Sequence, residues 1–151
     1  MKKKIVLIAT FILLIGQNVL SNIVHVIDGD TIKIGNEKIR FSGIDAPELN
    51  QYCFKDEKKI LCGVLAKKAL LKKIGNKIPK CVIEGKDIYK RILAECFVNE
   101  KSLSKFLVRN GYAFAYRKYS KKFIQDEEFA RKNKLGLWSM KFDYPWKFRK
   151  L

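Results

Sequence analysis

The stretch from Ile23 to Glu48 restricts the fold more than any other part of the chain. Ile23–Ile27 is rich in β-branched residues, Asp28-Gly29-Asp30 is a turn that Gly29 permits, and Thr31–Ile34 alternates polar with apolar. Gly35-Asn36 gives a second turn signal, and Ile39-Arg40-Phe41-Ser42 continues as a further strand. Successive strand side chains point to opposite faces. Ile39 and Phe41 therefore share a core face, while Arg40 and Ser42 share the other, where Arg40 looks into a groove. His25, the only histidine, sits inside the first strand and is read as structural.

From Gly63 the period changes. Leu65, Ala66, Ala69, Leu70 and Ile74 recur at helical spacing, with Lys67, Lys68, Lys72 and Lys73 away from that stripe. A hairpin is expected from Cys81 to Val98, with Val82-Ile83 on one arm and Ile92-Leu93-Ala94 on the other. A second helix should run over Leu103–Arg109 and stop at Asn110-Gly111. A third should run from about Lys122 to Lys134, capped by Ser120 and stopped by Gly136. Strands first, then strands interleaved with three helices, indicate an α+β domain: a small barrel carrying helices. The 151 residues suit one domain with one core, and a hydrophobic share of 48% argues against a disordered chain.

Charge narrows the partners. Thirty-two Lys and Arg against 15 Asp and Glu leave +17, a field that recruits a polyanion, either nucleic acid or an anionic membrane. No strongly amphipathic basic helix with large aromatic residues on its apolar face is present, which disfavours a membrane-active protein. Lys2-Lys3-Lys4, the apolar run Ile5–Ile15 and the small residues near Ser21 form a secretory leader pattern, with cleavage expected after Ser21. The apolar run is shorter than the roughly 17–25 residues of a spanning helix, so an uncleaved anchor is the lesser alternative. Cleavage divides the chain into a leader, 1–21, and a domain, 22–151, and lowers the charge to +14. The destination is the periplasm or the exterior.

Export changes how the four cysteines read. In an oxidising compartment they suggest two disulfides, with three possible pairings. Local spacing favours Cys53 with Cys62 and Cys81 with Cys96. A zinc site is a weak alternative, since no C-x-x-C occurs and only one histidine is present. Free thiols remain an alternative if the chain is not exported.

Two acidic clusters sit at strand ends, Asp28-Gly29-Asp30-Thr31 and Asp45-Ala46-Pro47-Glu48. Carboxylates on adjacent turns can converge on a hard divalent cation such as Ca²⁺. An EF-hand is excluded, because Thr31-Ile32-Lys33 lacks the further ligands its loop needs. Pro47 is expected to hold the Asp45 and Glu48 carboxylates in different directions. Arg40 and Arg91 stand beside these acidic turns, and a guanidinium fork suits a phosphate that gains charge during reaction.

The run Val26-Ile27-Asp28-Gly29-Asp30-Thr31, then Ile39-Arg40-Phe41-Ser42-Gly43-Ile44-Asp45-Ala46-Pro47-Glu48, resembles the staphylococcal nuclease (thermonuclease) family. So do Asp87-Ile88-Tyr89-Lys90-Arg91-Ile92-Leu93-Ala94, Leu107-Val108-Arg109-Asn110-Gly111-Tyr112-Ala113 and Lys134-Leu135-Gly136-Leu137-Trp138-Ser139. The cysteines after Glu48 resemble those of the family's exported bacterial members. The resemblance covers essentially the whole mature chain, in order.

It implies a five-stranded OB-type β-barrel with three helices and a Ca²⁺-dependent endonuclease. Asp30 and Asp45 would hold the metal, helped by the main-chain carbonyl of Ala46, with Asp28 supporting from further out. Glu48 would orient or deprotonate the attacking water, and Arg40 and Arg91 would grip the scissile phosphate. Tyr89 and Tyr116 would contact the nucleotide. Two departures bear on nucleotide affinity: Lys90 stands where the family usually has Gly, and Ile88 where it often has Lys. The implied substrates are DNA and RNA, single strands preferred, with no protein partner and a monomeric state. The competing reading is a non-catalytic OB-fold binding module. Such relatives typically lose the acidic and arginine residues, and Asp30, Arg40, Asp45, Glu48 and Arg91 are all present here.

Overall fold

The computed structural model describes residues 23–150. The leader expected over 1–21 lies outside them. In chain order the elements are β1 (Val24–Val26), β2 (Thr31–Ile34), β3 (Glu37–Phe41), β4 (Ile44–Asp45), β5 (Tyr52–Lys55), β6 (Lys58–Leu61), α1 (Cys62–Ile74), β7 (Lys80–Lys86), β8 (Ile92–Val98), β9 (Lys101–Ser102), α2 (Leu103–Arg109), β10 (Phe114–Ala115), α3 (Ile124–Lys132), a 3-10 turn (Gly136–Ser139) and α4 (Pro145–Phe148). The α+β class is as expected.

The main sheet is mixed and runs β1-β2-β3-β8-β7, with β9 added on β8. β1, β2 and β3 form the expected meander, and β3 lies parallel to β8. β7 and β8 form the expected hairpin, with an irregularity between Ile83 and Gly85 that bends the strand. Ile39 and Phe41 are buried and Arg40 is not fully so, as strand alternation requires. The core joins these strands to the inner faces of α1 (Ala66, Leu70, Ile74) and α2 (Leu103, Leu107, Val108).

Several expectations need correction. A fourth helix, α4, and the 3-10 turn follow the three expected helices. The third helix is shorter than expected, and Phe123 precedes it without a side-chain cap; Ser120 Oγ accepts from Lys122 N outside the helix instead. The stretch between Cys53 and Cys62 is a hairpin, β5–β6, turned at Asp56 and Glu57, both at positive φ. Gly29 is not among the positive-φ glycines; its constraint is steric, because a Cβ there would lie 2.7 Å from the Cβ atoms of both Ala46 and Ala66. His25 is exposed on β1 opposite Lys33.

Both local disulfides form, Cys53–Cys62 and Cys81–Cys96. Cys81 and Cys96 face each other across β7–β8. Cys53 and Cys62 belong to a second apolar cluster with Phe114 and Leu137, against which Trp138, Phe142, Tyr144 and Trp146 pack. Phe114 is its hub, with ring centroids 5.0 Å from Phe142, 5.1 Å from Tyr144 and 5.4 Å from Trp138. This cluster fastens the end of the chain to β10, the partner of β4.

Candidate active site

Register builds the site. Thr31 pairs with Arg40 across β2–β3, and Phe41 N donates to the Asp30 carbonyl at 2.8 Å, which sets Asp30 beside Arg40. Asp45 ends β4, where it pairs with Phe114. The Arg40 guanidinium donates through Nη1 to Asp30 Oδ1 and through Nη2 to Asp45 Oδ1, the latter at 2.8 Å. One fork thus bridges two carboxylates that are 2% and 0% exposed as whole residues. Asp30 is further fixed by Ala46 N, which donates to Oδ2 at 2.7 Å, and by the Thr31 hydroxyl at 3.0 Å. Asp28 Oδ1 accepts from Asp30 N at 3.0 Å, so it shapes the turn that presents Asp30.

Electrostatics follow from burial. Desolvation pushes the Asp30 carboxyl up to about 7; Arg40 opposes this, Asp28 and Asp45 add to it, and the Ala46 N–H opposes it. Burial works against the charge of Arg40, but Asp30 and Asp45 outweigh it and hold the guanidinium above its ordinary value. The two shifts pull in opposite directions: the ion pair favours the carboxylate and the dry surroundings favour the acid. The geometry of the pair favours the charged form.

Glu48 lies at the rim, its side chain 39% exposed. Arg149 Nη1 donates to Glu48 Oε1 at 2.8 Å and to Asp45 Oδ1 at 3.2 Å, while Nη2 donates to Asp45 Oδ2 at 2.7 Å. The expectation that Pro47 sends Asp45 and Glu48 in different directions is therefore not met. One nitrogen joins them. Burial works against the Arg149 charge, and the hydrogen bonds to Asp45 and Glu48 overcome it, raising the group above its usual range. Asp30, Arg40, Asp45, Ala46 and Glu48 are thus one assembly, with Asp28 behind it.

Arg91 stands apart. It precedes β8, two residues before Leu93, the register partner of Arg40. Its Nε donates to Asp87 Oδ2 at 2.6 Å, and its N–H to Asp87 Oδ1 at 2.9 Å. Burial works against the Asp87 charge, but the hydrogen bonds and charge of Arg91 together outweigh it and hold that carboxyl below its ordinary range. Among the described residues no hydrogen bond joins Arg91 to the assembly around Arg40. Tyr89 is 73% exposed, with the Arg91 guanidinium 5.5 Å from its ring centroid. Tyr116 is half-buried, its ring parallel to Trp146 at 5.8 Å and edge-on to Tyr119 at 4.8 Å.

Three residues escaped the sequence reading. Asp87 orders the loop before Arg91, and its signal was an Asp four residues before an Arg. Gln51 is fully buried; its Oε1 accepts from Glu48 N at 3.2 Å and its Nε2 donates to the Asp143 carbonyl at 2.6 Å, tying the Glu48 loop to the end of the chain. Arg149 is the third. The alternation of Phe142, Tyr144, Trp146 and Phe148 was the available sign that this last segment packs.

The candidate ligand atoms of the assembly, the carboxylates of Asp30 and Asp45 and the Ala46 carbonyl, are all oxygens, which suits a hard cation. Among the described residues, however, no group of three or more His, Cys, Asp or Glu side chains is gathered as a metal cluster. The guanidinium groups of Arg40 and Arg149 lie between the carboxylates. No helix of the described residues is long and apolar enough to cross a membrane.

Residues 38–140 match the profile of the staphylococcal nuclease homologue family. A protein of Haemophilus influenzae described as an uncharacterized endonuclease is 32% identical over 124 residues, covering 78% of this chain and 65% of that protein. The succinoglycan biosynthesis protein ExoI of Rhizobium meliloti is 32% identical over 118 residues, 75% of this chain and 61% of its own length. The staphylococcal-like nuclease CAN1 of Arabidopsis thaliana is 32% identical over 116 residues, 75% of this chain and 33% of its own length. The chain thus spans between a third and two thirds of these relatives.

Proposed function

The chain belongs to the staphylococcal nuclease homologue family, and from that premise we propose that it is a Ca²⁺-dependent endonuclease that hydrolyses phosphodiester bonds of DNA and RNA with little sequence preference. The observation that carries this reading is the pair of buried aspartates, Asp30 and Asp45, held on the single guanidinium of Arg40 with Glu48 at the rim. Asp30, Asp45 and the main-chain carbonyl of Ala46 would hold the cation, and Asp28 supports the turn that carries Asp30. When bound, Ca²⁺ supplies Lewis-acid charge neutralisation at the phosphate. Glu48, solvent-accessible beside the buried pair, orients the attacking water or takes its proton. Arg40 and Arg91 hold the phosphate oxygens as charge develops on them. Asp87 takes Nε of Arg91, which leaves both terminal nitrogens for phosphate. Tyr89 and Tyr116 contact the nucleotide. Phosphate contacts and stacking carry no base code, so single strands of either nucleic acid are accepted.

The wider reading is of a piece with this. The five-strand path β1-β2-β3-β8-β7 supports an OB-type barrel. Two disulfides support an oxidising destination, periplasm or exterior, reached through a leader at 1–21 that precedes a monomeric domain at 22–151.

The test is made on Glu48. Glu48→Gln preserves size and hydrogen bonding but removes basicity, so Ca²⁺-dependent cleavage of single-stranded DNA should fall about 100-fold or more. Oligonucleotide binding should change little. A wild type that binds tightly but never cuts, with Ca²⁺ or any other metal, would make this a binding module instead.

A further inference from the structure

The last described helix ends in a side chain that reaches back into the reaction centre. Arg149 lies beyond the stretch that matches the family profile, residues 38–140. Its guanidinium makes three hydrogen bonds, two to Asp45 and one to Glu48, at 2.7, 3.2 and 2.8 Å. Asp45 is fully buried, so what neutralises its charge matters. A fork lying against both oxygens of one carboxylate is the strongest ordinary way for a side chain to do so.

The placement of Arg149 is built rather than incidental. α4 presents it, and Arg149 N donates to the Pro145 carbonyl at 3.0 Å. Trp146 lies parallel to Tyr144 at 4.5 Å and to Tyr116 at 5.8 Å, which fixes the helix on the body of the domain. Gln51 fastens the segment again at Asp143. Two independent anchors therefore aim this guanidinium at the two acidic residues of the Asp45–Glu48 turn.

We propose that Arg149 is an internal counter-ion that competes with the divalent cation for Asp45. This rests on the reading of Asp30 and Asp45 as cation ligands. Asp45 Oδ1 accepts from both Arg40 and Arg149, and Oδ2 accepts from Arg149, so Arg149 takes two of the three occupied acceptor positions on a carboxylate that offers about four, and a cation that coordinates Asp45 beside Arg40 has to displace Arg149 hydrogen bonds. The C-terminal segment thereby sets the cation concentration at which the site fills, and it frees Glu48 at the same moment. Metal loading and the release of Glu48 are one event, with Arg149 passing from carboxylate to solvent.

The experiment is Ca²⁺ titration by calorimetry, without nucleic acid, on the wild type, Arg149→Gln and Arg149→Lys, with circular dichroism to verify folding. Arg149→Gln should bind Ca²⁺ about tenfold more tightly, because a charged hydrogen-bonding competitor has gone. A larger gain is not expected, since the Arg149 side chain is 37% exposed and water screens the pair. Arg149→Lys keeps the charge but loses the fork, and should fall between the two. Equal or weaker Ca²⁺ binding by a folded Arg149→Gln would overturn this inference alone. No Ca²⁺ binding by any of the three would overturn it together with the metal reading.

Discussion

Lys90 shows how much one residue's backbone can matter. It occupies a left-handed conformation, φ 62°, between Asp87 and Arg91, where its N–H donates to the Asp87 carbonyl at 2.9 Å. A side chain there costs about 1–2 kcal/mol, part of which Gly would lose again through its freer unfolded chain. Lys90→Gly should therefore stabilise the protein by about 0.5–1 kcal/mol, read as a higher urea midpoint. An unchanged or lower midpoint would mean that the loop relaxes at no cost. Arg40 tests the opposite kind of dependence, on side-chain shape. Arg40→Lys keeps one charge but cannot reach Asp30 and Asp45 together, so turnover should fall by about 100-fold or more while oligonucleotide binding weakens far less. Wild-type cleavage by that variant would reduce Arg40 to a structural cation. Asp30, Arg40, Asp45 and Glu48 were legible in the sequence because two short turns and one strand supply them all. Arg149 and Gln51 were not, because their meaning depends on contacts about a hundred residues along the chain, which no local pattern encodes.

Elements position these side chains through close backbone approach. α1 begins against the Glu48 loop, and a Cβ on Gly63 would lie 1.9 Å from the Glu48 carbonyl oxygen and 2.8 Å from Leu49 Cα. Both obstacles are backbone, so they cannot turn aside. Gly63→Ala should lower stability by about 2–3 kcal/mol, a Tm drop of about 10 °C, and should weaken cleavage even where the protein is folded. Thermal melting and activity on the same sample check both halves; an unaffected Tm would mean that α1 can shift freely. Helical periodicity announced α1, and the Asn110-Gly111 stop marked α2; each turns apolar residues to the core. The β5–β6 hairpin went unread because Asp56-Glu57 is not a common left-handed pair, and the context holds it there. α4 was missed for another reason. A single turn is too short for a helical period to show, and its aromatic residues pack as a cluster around Phe114 rather than as a stripe.

At the scale of the molecule, charge and covalent topology dominate. The formal +17 predicts that binding of a single-stranded oligonucleotide, measured with the Glu48→Gln variant, falls about 10- to 100-fold between about 50 and 200 mM salt. A flat response would assign affinity to stacking instead of phosphate contacts. The α+β class was legible because strand and helix periods separate cleanly along the chain. The parallel pairing of β3 with β8 was not, because it is decided only when distant strands meet. Neither disulfide spans that pairing. The two bonds enclose separations of 9 and 15 residues, each within a hairpin or its immediate end. Either alternative pairing would have to close longer loops, at a combined entropic disadvantage of about 2 kcal/mol. An unfolded, newly oxidised chain is therefore biased towards the correct bonds by polymer statistics alone. A chain oxidised before it folds should thus carry mainly Cys53–Cys62 and Cys81–Cys96.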